Sequence, residues 1–214
     1  MADHLSSAMF GILGLVLLGI CLLILRRPRH IINTTYASSM GILSLGMFVG
    51  AFYYLEETLE LAYDLSYLFV TLSPLGIYWT GRLINHGLDA WKERFVVVFS
   101  ITYSLVAIGL VIVENERTYD LTTSLWFVIL IVIVLVVLYE YLKIYQAIPE
   151  QRNKLIFFLT GFSIVVLGLS IDLVFFLLSG DDSQFIGTFG VIFGFLTTGV
   201  AFTNLPEKFQ IGEK

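Results

Sequence analysis

The chain has 214 residues, of which 57% are hydrophobic and only 14% charged, and its net charge is −5. A soluble domain of that length would have too little polar surface to cover itself, so this composition belongs in lipid. The acidic balance argues against nucleic-acid partners, and a single cysteine, Cys21, excludes an intrachain disulfide.

Apolar runs of about 18 residues or more, each able to cross roughly 30 Å of hydrocarbon, recur along the whole chain. They cover residues 8–25, 37–55, 65–83, 95–113, 121–142, 155–178 and 185–205. The connections are short, about 5–12 residues, which joins neighbouring helices antiparallel and leaves no room for a soluble domain in any loop. The predicted fold is all-α: a polytopic membrane protein forming one seven-transmembrane-helix bundle over residues 1–214.

The first span reads as a retained helix. Its basic cluster, Arg26, Arg27 and Arg29, follows the apolar stretch, whereas a secretory signal carries the cluster in front. Gly46, Gly50, Tyr53 and Glu57 share one face of the second span, with a GxxxG spacing that lets helix backbones approach closely in lipid. In the third, Asp64, Tyr67, Thr71, Tyr78 and Arg82 fall on one stripe together with Pro74, and that face should look inward. Pro74 crowds the carbonyl of Val70, which predicts a bend, read either as a hinge or as a static kink, with Ser73 or water meeting the freed group.

The fifth span, "LWFVILIVIVLVVLYEYL", is apolar all round. With no polar stripe to orient it, it is expected at the periphery of the bundle, with Glu140 at the rim. The sixth carries Asp172 about 8 Å from its centre, with Gly161 and Gly168 on the same face. An intramembrane carboxylate is a functional-site hypothesis by default, and a buried structural acid is the competing reading. Gly190 and Gly194 repeat the GxxxG spacing in the seventh span, for packing within the bundle or between two copies. The predicted site is a polar layer of Asp172, Asp64, Glu57, Tyr67, Thr71 and Tyr53, able to receive a proton, a cation or a small polar ligand.

Eleven of the twelve basic residues fall at one end of these spans, and Arg117 alone joins the acids at the other. The positive-inside rule then predicts the N-terminus outside and the C-terminus inside, with the polar layer opening outward. Catalysis finds no support. Every lysine lies at a span end or in a loop, so a retinal Schiff base is excluded. His4, His30 and His86 lie in tails or loops, away from any haem or zinc site within the membrane. No cofactor, metal or catalytic residue is expected, and no inverted or parallel repeat supports a transporter.

The stretches "AFYYLEETLELAYDLSYLFVTLSPLGIYWTGRLINHG" and "YLKIYQAIPEQRNKLIFFLTGFSIVVLGLSIDL" resemble the N-terminal seven-transmembrane sensor region of histidine kinases and diguanylate cyclases. The resemblance implies a rhodopsin-like bundle used for sensing or anchoring in a prokaryotic plasma membrane, often as a homodimer. Those proteins continue into an output domain, whereas this chain stops after "NLPEKFQIGEK", so signalling would pass to a separate cytoplasmic partner at the inner loops. The reading is a membrane sensor. A small transporter or channel, and a structural subunit of a larger membrane complex, remain as alternatives.

Overall fold

The computed structural model describes residues 4–26, 30–55, 60–113, 119–179 and 185–201. Among the described residues there are seven α-helices and no strand: α1 (His4–Leu25), α2 (Ile31–Leu55), α3 (Glu60–His86), α4 (Arg94–Val113), α5 (Tyr119–Ala147), α6 (Arg152–Ser179) and α7 (Phe185–Val200). In lipid a backbone must satisfy its own polar groups, and a helix does so within one segment. Five of the helices, α1, α2, α4, α5 and α6, are long and apolar enough to cross a membrane. The protein is a helical integral membrane protein. The other two differ in kind: α7 offers a shorter apolar stretch, Gly187–Val200, and the 27-residue α3 carries Asp64, Arg82 and His86 among Ser, Thr and Tyr residues.

Short turns punctuate the helices. Gly87, at φ +68°, ends α3 in the left-handed region that glycine enters without steric cost, and a 3-10 turn, Gly87–Lys92, follows. Pro149 opens a second such turn, Pro149–Gln151, at a position where its missing amide hydrogen costs nothing.

Side-chain pairs fix the direction of each neighbour. Ser7 meets Ala51 and Ser44 meets Gly14, so α1 and α2 are antiparallel. Trp79 meets Ser100 between antiparallel α3 and α4, while Asn85 meets Glu140 between α3 and α5, which run the same way. In contact order α1, α2, α3, α5, α6 and α7 form a closed ring, and α4 packs on its outside against α3 and α5.

This arrangement corrects one expectation. The peripheral helix is α4, which exposes Phe95, Val98, Ile101, Leu105 and Ile112. The featureless α5 lies in the ring, burying Leu130, Ile133, Val134, Val137, Tyr141 and Ile144 at helical spacing. Lipid and protein interior are equally apolar, so a uniformly greasy sequence does not distinguish the two faces.

Two devices hold the helices together. Serine hydroxyls donate across to backbone carbonyls: Ser44 to Gly14 at 2.8 Å, Ser66 to Gly46 at 2.8 Å, Ser7 to Ala51 at 2.9 Å, and Ser39 to Ser73. The second device is backbone contact between α6 and α7. A Cβ on Gly161 would lie 2.5 Å from the Gly194 carbonyl oxygen, and one on Gly194 would lie 2.6 Å from that of Gly161. One turn and more away, a Cβ on Gly190 would lie 3.2 Å from the Gly168 Cα. Gly161, Gly168, Gly190 and Gly194 thus pack within the chain, and Gly46 and Gly50 do the same against Phe69, Ser66 and Phe10 of α3 and α1.

Candidate functional site

The ring encloses a cavity of about 110 Å³. Its polar wall comes from one end of the bundle, where α3 and α7 begin and α6 closes: Ser66 and Tyr67 on α3, Asp172 on α6, Thr188 on α7. Everything further down is apolar. Leu13, Met47, Val70, Ile77, Leu130, Val134, Val165 and Leu169 line the sides, and Phe162 and Phe195 meet edge to face at 6.0 Å. Phe162 continues an aromatic run through Phe158 (4.7 Å) to Tyr141 (4.1 Å).

Asp172 has a local structural reason to be there. The first turn of α7 presents amide hydrogens without partners in its own helix, together with the positive end of the helix dipole. The carboxylate of Asp172, only 5% exposed, accepts the Gly187 N–H and so caps that helix from its neighbour. Gly187 makes the approach possible, because a Cβ at that position would fall on the carboxylate itself. A carboxylate can accept about four hydrogen bonds, and this cap uses one. Among the described residues no lysine, arginine or histidine pairs with Asp172.

The predicted polar layer is brought together in part. Asp172, Tyr67 and Pro74 all line the cavity. Tyr53 reaches it indirectly, through a ladder of rings in which Tyr53 packs on Tyr63 at 4.8 Å and Tyr63 on Tyr67 at 4.5 Å. Thr71 stands apart: its hydroxyl donates to the Tyr67 carbonyl at 2.7 Å, its own carbonyl accepts Tyr103 of α4 at 2.7 Å, and it is not in the cavity wall. Asp64 is half-buried on α3 and also outside the wall. Glu57 lies outside the described residues. The physical reason is rotation of α3. The face that meets the cavity is Ser66, Val70, Pro74 and Ile77, slightly turned from the stripe of larger polar residues, because Tyr78 packs edge-on against Phe99 of α4 at 5.4 Å.

Ser66 and Thr188 were not singled out from the sequence. Ser66 continues the i, i+4 series to Val70 and Pro74, a weak signal that was present; Thr188 beside Gly187 gave none. At Pro74 the carbonyl left without its amide partner is met locally, with Ser73 Oγ donating to the Val70 carbonyl at 3.0 Å, and α3 runs on unbroken.

A second polar cluster sits at the opposite end of α3. Glu140, 4% exposed, is buried between α3 and α5 and is no rim residue. It accepts from Arg82 Nη1 at 3.3 Å, from Asn85 Nδ2 at 2.9 Å and from Lys143 Nζ at 3.5 Å. Arg82 also pairs with Glu93, whose other oxygen lies 3.5 Å from His86 Nδ1. Gly81 permits this contact, since a Cβ there would lie 3.2 Å from the Glu140 Cβ. Within this cluster the charges of Arg82, Glu140, Glu93 and Lys143 pair with one another. Among the described residues no group of three or more His, Cys, Asp or Glu side chains could hold a metal ion.

Set against known proteins, the chain matches no family model, no curated protein and no solved structure.

Proposed function

We propose that the protein is a membrane sensor module that binds a small ligand in the cavity beneath Asp172 and transmits the change along α3 to a cytoplasmic partner. In this reading all seven helices cross the bilayer, with the N-terminus outside and the C-terminus inside, in a rhodopsin-like bundle like that of the histidine-kinase and diguanylate-cyclase sensor regions. Support for α3 as a span comes from its place in the ring, where neighbouring helices shield its polar residues from lipid. Eleven basic residues at the inner end support the orientation.

The observation that carries the sensing role is the form of the cavity: closed below by Phe162 and Phe195, and ended above by a carboxylate that no cation of the described residues neutralises. A transporter needs polar lining through both leaflets. Here the polar groups of the other end are locked in the Arg82–Glu140–Asn85 cluster. A role for the α4 face in a homodimer, and the prokaryotic plasma membrane as the location, belong to the same proposal.

Two experiments test it. In a Cys21→Ser background, Asp3→Cys should react with an impermeant maleimide on intact cells and Lys214→Cys only after lysis; the reverse pattern overturns the orientation. A fluorophore on Arg94→Cys, in nanodiscs, should respond saturably to short-chain amphiphiles that enter the cavity. Passage of the same compounds across proteoliposomes, with a silent fluorophore, would establish the transporter instead.

A further inference from the structure

Two groups in the polar wall of the cavity, Asp172 and Ser66, turn hydrogen-bond acceptors toward it. Ser66 Oγ donates to the Gly46 carbonyl at 2.8 Å, so toward the cavity it can only accept. The Gly187 N–H beside the wall residue Thr188 is taken by Asp172. Asp172 is itself 95% removed from solvent contact, being 5% exposed, and when ionised a carboxylate only accepts. A ligand head that engages both Asp172 and Ser66 must therefore bring donors, and a positive charge suits it best, because a buried carboxylate is compensated by a cation and not by a neutral group. The rest of the wall asks for something different: apolar side chains from six helices, with no side-chain oxygen among them to coordinate a bare ion. A divalent metal would need six or more oxygens, which these walls do not supply.

We infer that the cavity binds a small lipophilic amine, its ammonium on Asp172 and its apolar body directed toward Phe162 and Phe195. This rests on the proposal above that the cavity is a ligand site, and it names the chemical class of that ligand. Size follows from the volume. An apolar cavity of about 150 Å³ accepts benzene, so about 110 Å³ suits an unbranched body of roughly four to six heavy atoms. The ammonium donates to an Asp172 carboxylate oxygen that the Gly187 cap leaves open and to Ser66 Oγ, while Tyr67 and Thr188 border the head.

The test uses the full chain in nanodiscs of zwitterionic lipid, with n-pentylamine, 1-pentanol and pentanoate as probes of equal body and different head. Binding is read by isothermal titration and by the Arg94→Cys fluorophore in parallel. Pentylamine should bind on the order of tenfold more tightly than pentanol, and pentanoate should not bind. Asp172→Asn keeps an oxygen to cap Gly187, so it folds, and it should lose the amine preference while pentanol affinity stays within about twofold. Equal affinity for amine and alcohol, an amine preference that survives Asp172→Asn, or displacement of pentylamine by sodium chloride at constant ionic strength overturns the assignment. Amine binding by titration with no fluorophore response leaves the ligand class standing and refutes the sensor reading, so the two failures are distinguishable.

Discussion

Gly161→Ala tests the packing of α6 on α7 most directly. The added Cβ would sit 2.5 Å from the Gly194 carbonyl oxygen, 2.5 Å from Thr198 Cγ2 and 2.6 Å from the Thr198 amide nitrogen, and two of these three are backbone atoms that cannot swing aside. The helices must part by roughly an ångström to restore ordinary contact. A gap of about 0.5–1 Å forfeits a quarter to a half of each contact, itself worth about 0.1–0.2 kcal/mol. Over a patch the size of a buried leucine, with about 40–60 contacts, the loss is about 1–6 kcal/mol, which spans the usual cost of overpacking, about 1–3 kcal/mol. Gly109→Ala is the matched control, because a Cβ there meets nothing within 4 Å. On α4 it should be neutral or stabilise by up to about 1 kcal/mol through helix propensity alone. Unfolding by SDS from mixed micelles, followed by far-UV circular dichroism, measures both. A Gly161→Ala protein as stable as wild type, or a Gly109→Ala protein equally damaged, would refute the close approach of α6 and α7.

Asp172→Ala should cost about 1–3 kcal/mol by leaving the Gly187 N–H buried without an acceptor, whereas Asp172→Asn should cost well under half of that; the same SDS titration compares them. Gly187→Ala should destabilise, and should do so even in an Asp172→Ala background, because its Cβ would strike the Gly168 carbonyl oxygen of α6 as well as the Asp172 carboxylate; a double mutant no less stable than Asp172→Ala contradicts this. Glu140→Ala should destabilise by about 1–3 kcal/mol, because Arg82 and Asn85 lose the carboxylate while Arg82 keeps Glu93 and Asn85 keeps the backbone carbonyl of residue 140, and the same SDS titration measures it. Ser66→Ala, which removes one interhelical bond within the membrane, should cost only about 0.6 kcal/mol on average, measurable as a small shift of the SDS midpoint.

The helices were legible because lipid imposes length and hydropathy on any segment that crosses it, and α1, α2, α4, α5 and α6 meet that requirement. Small residues were legible too: Gly161, Gly168, Gly190 and Gly194 each stood at a spacing that permits backbone contact, although the sequence left open whether the partner was the same chain. Faces of uniformly apolar helices were not legible. Nothing in α5 marks Ile133 and Val137, fully buried, apart from exposed Val132 and Leu135. Polar residues of α3 misled in the opposite way. Tyr78 packs on Phe99 of α4, and Thr71 turns its hydroxyl back to the Tyr67 carbonyl while its own carbonyl meets Tyr103 of α4, so neither serves the cavity: a helix surrounded by neighbours can bury polar groups on several sides. Glu140 looked like a rim residue because its partners, Arg82 and Asn85, lie more than fifty positions away in sequence.

The same helix joins the two polar ends, and its packing argues for how a change at one reaches the other. Pro74 and Ile77 stand in the cavity wall, and one turn later Gly81 brings α3 against the Glu140 Cβ at a distance with no slack. The next residue, Arg82, holds both Glu140 of α5 and Glu93 at the start of α4. In the proposed sensor, a ligand body pressing on Pro74 and Ile77 would move a segment whose displacement is not absorbed by loose side chains between it and the ion pairs, since a packed interior responds by shifting between arrangements instead of compressing. Because Ser73 already meets the carbonyl freed by Pro74, the helix can bend there without exposing a new unsatisfied group to the apolar interior. In the proposed sensor the cost of bending would thus be confined to packing, the term a ligand filling the cavity could repay, and the end set to move would be the one bearing Arg82 and its partners Glu140 and Glu93.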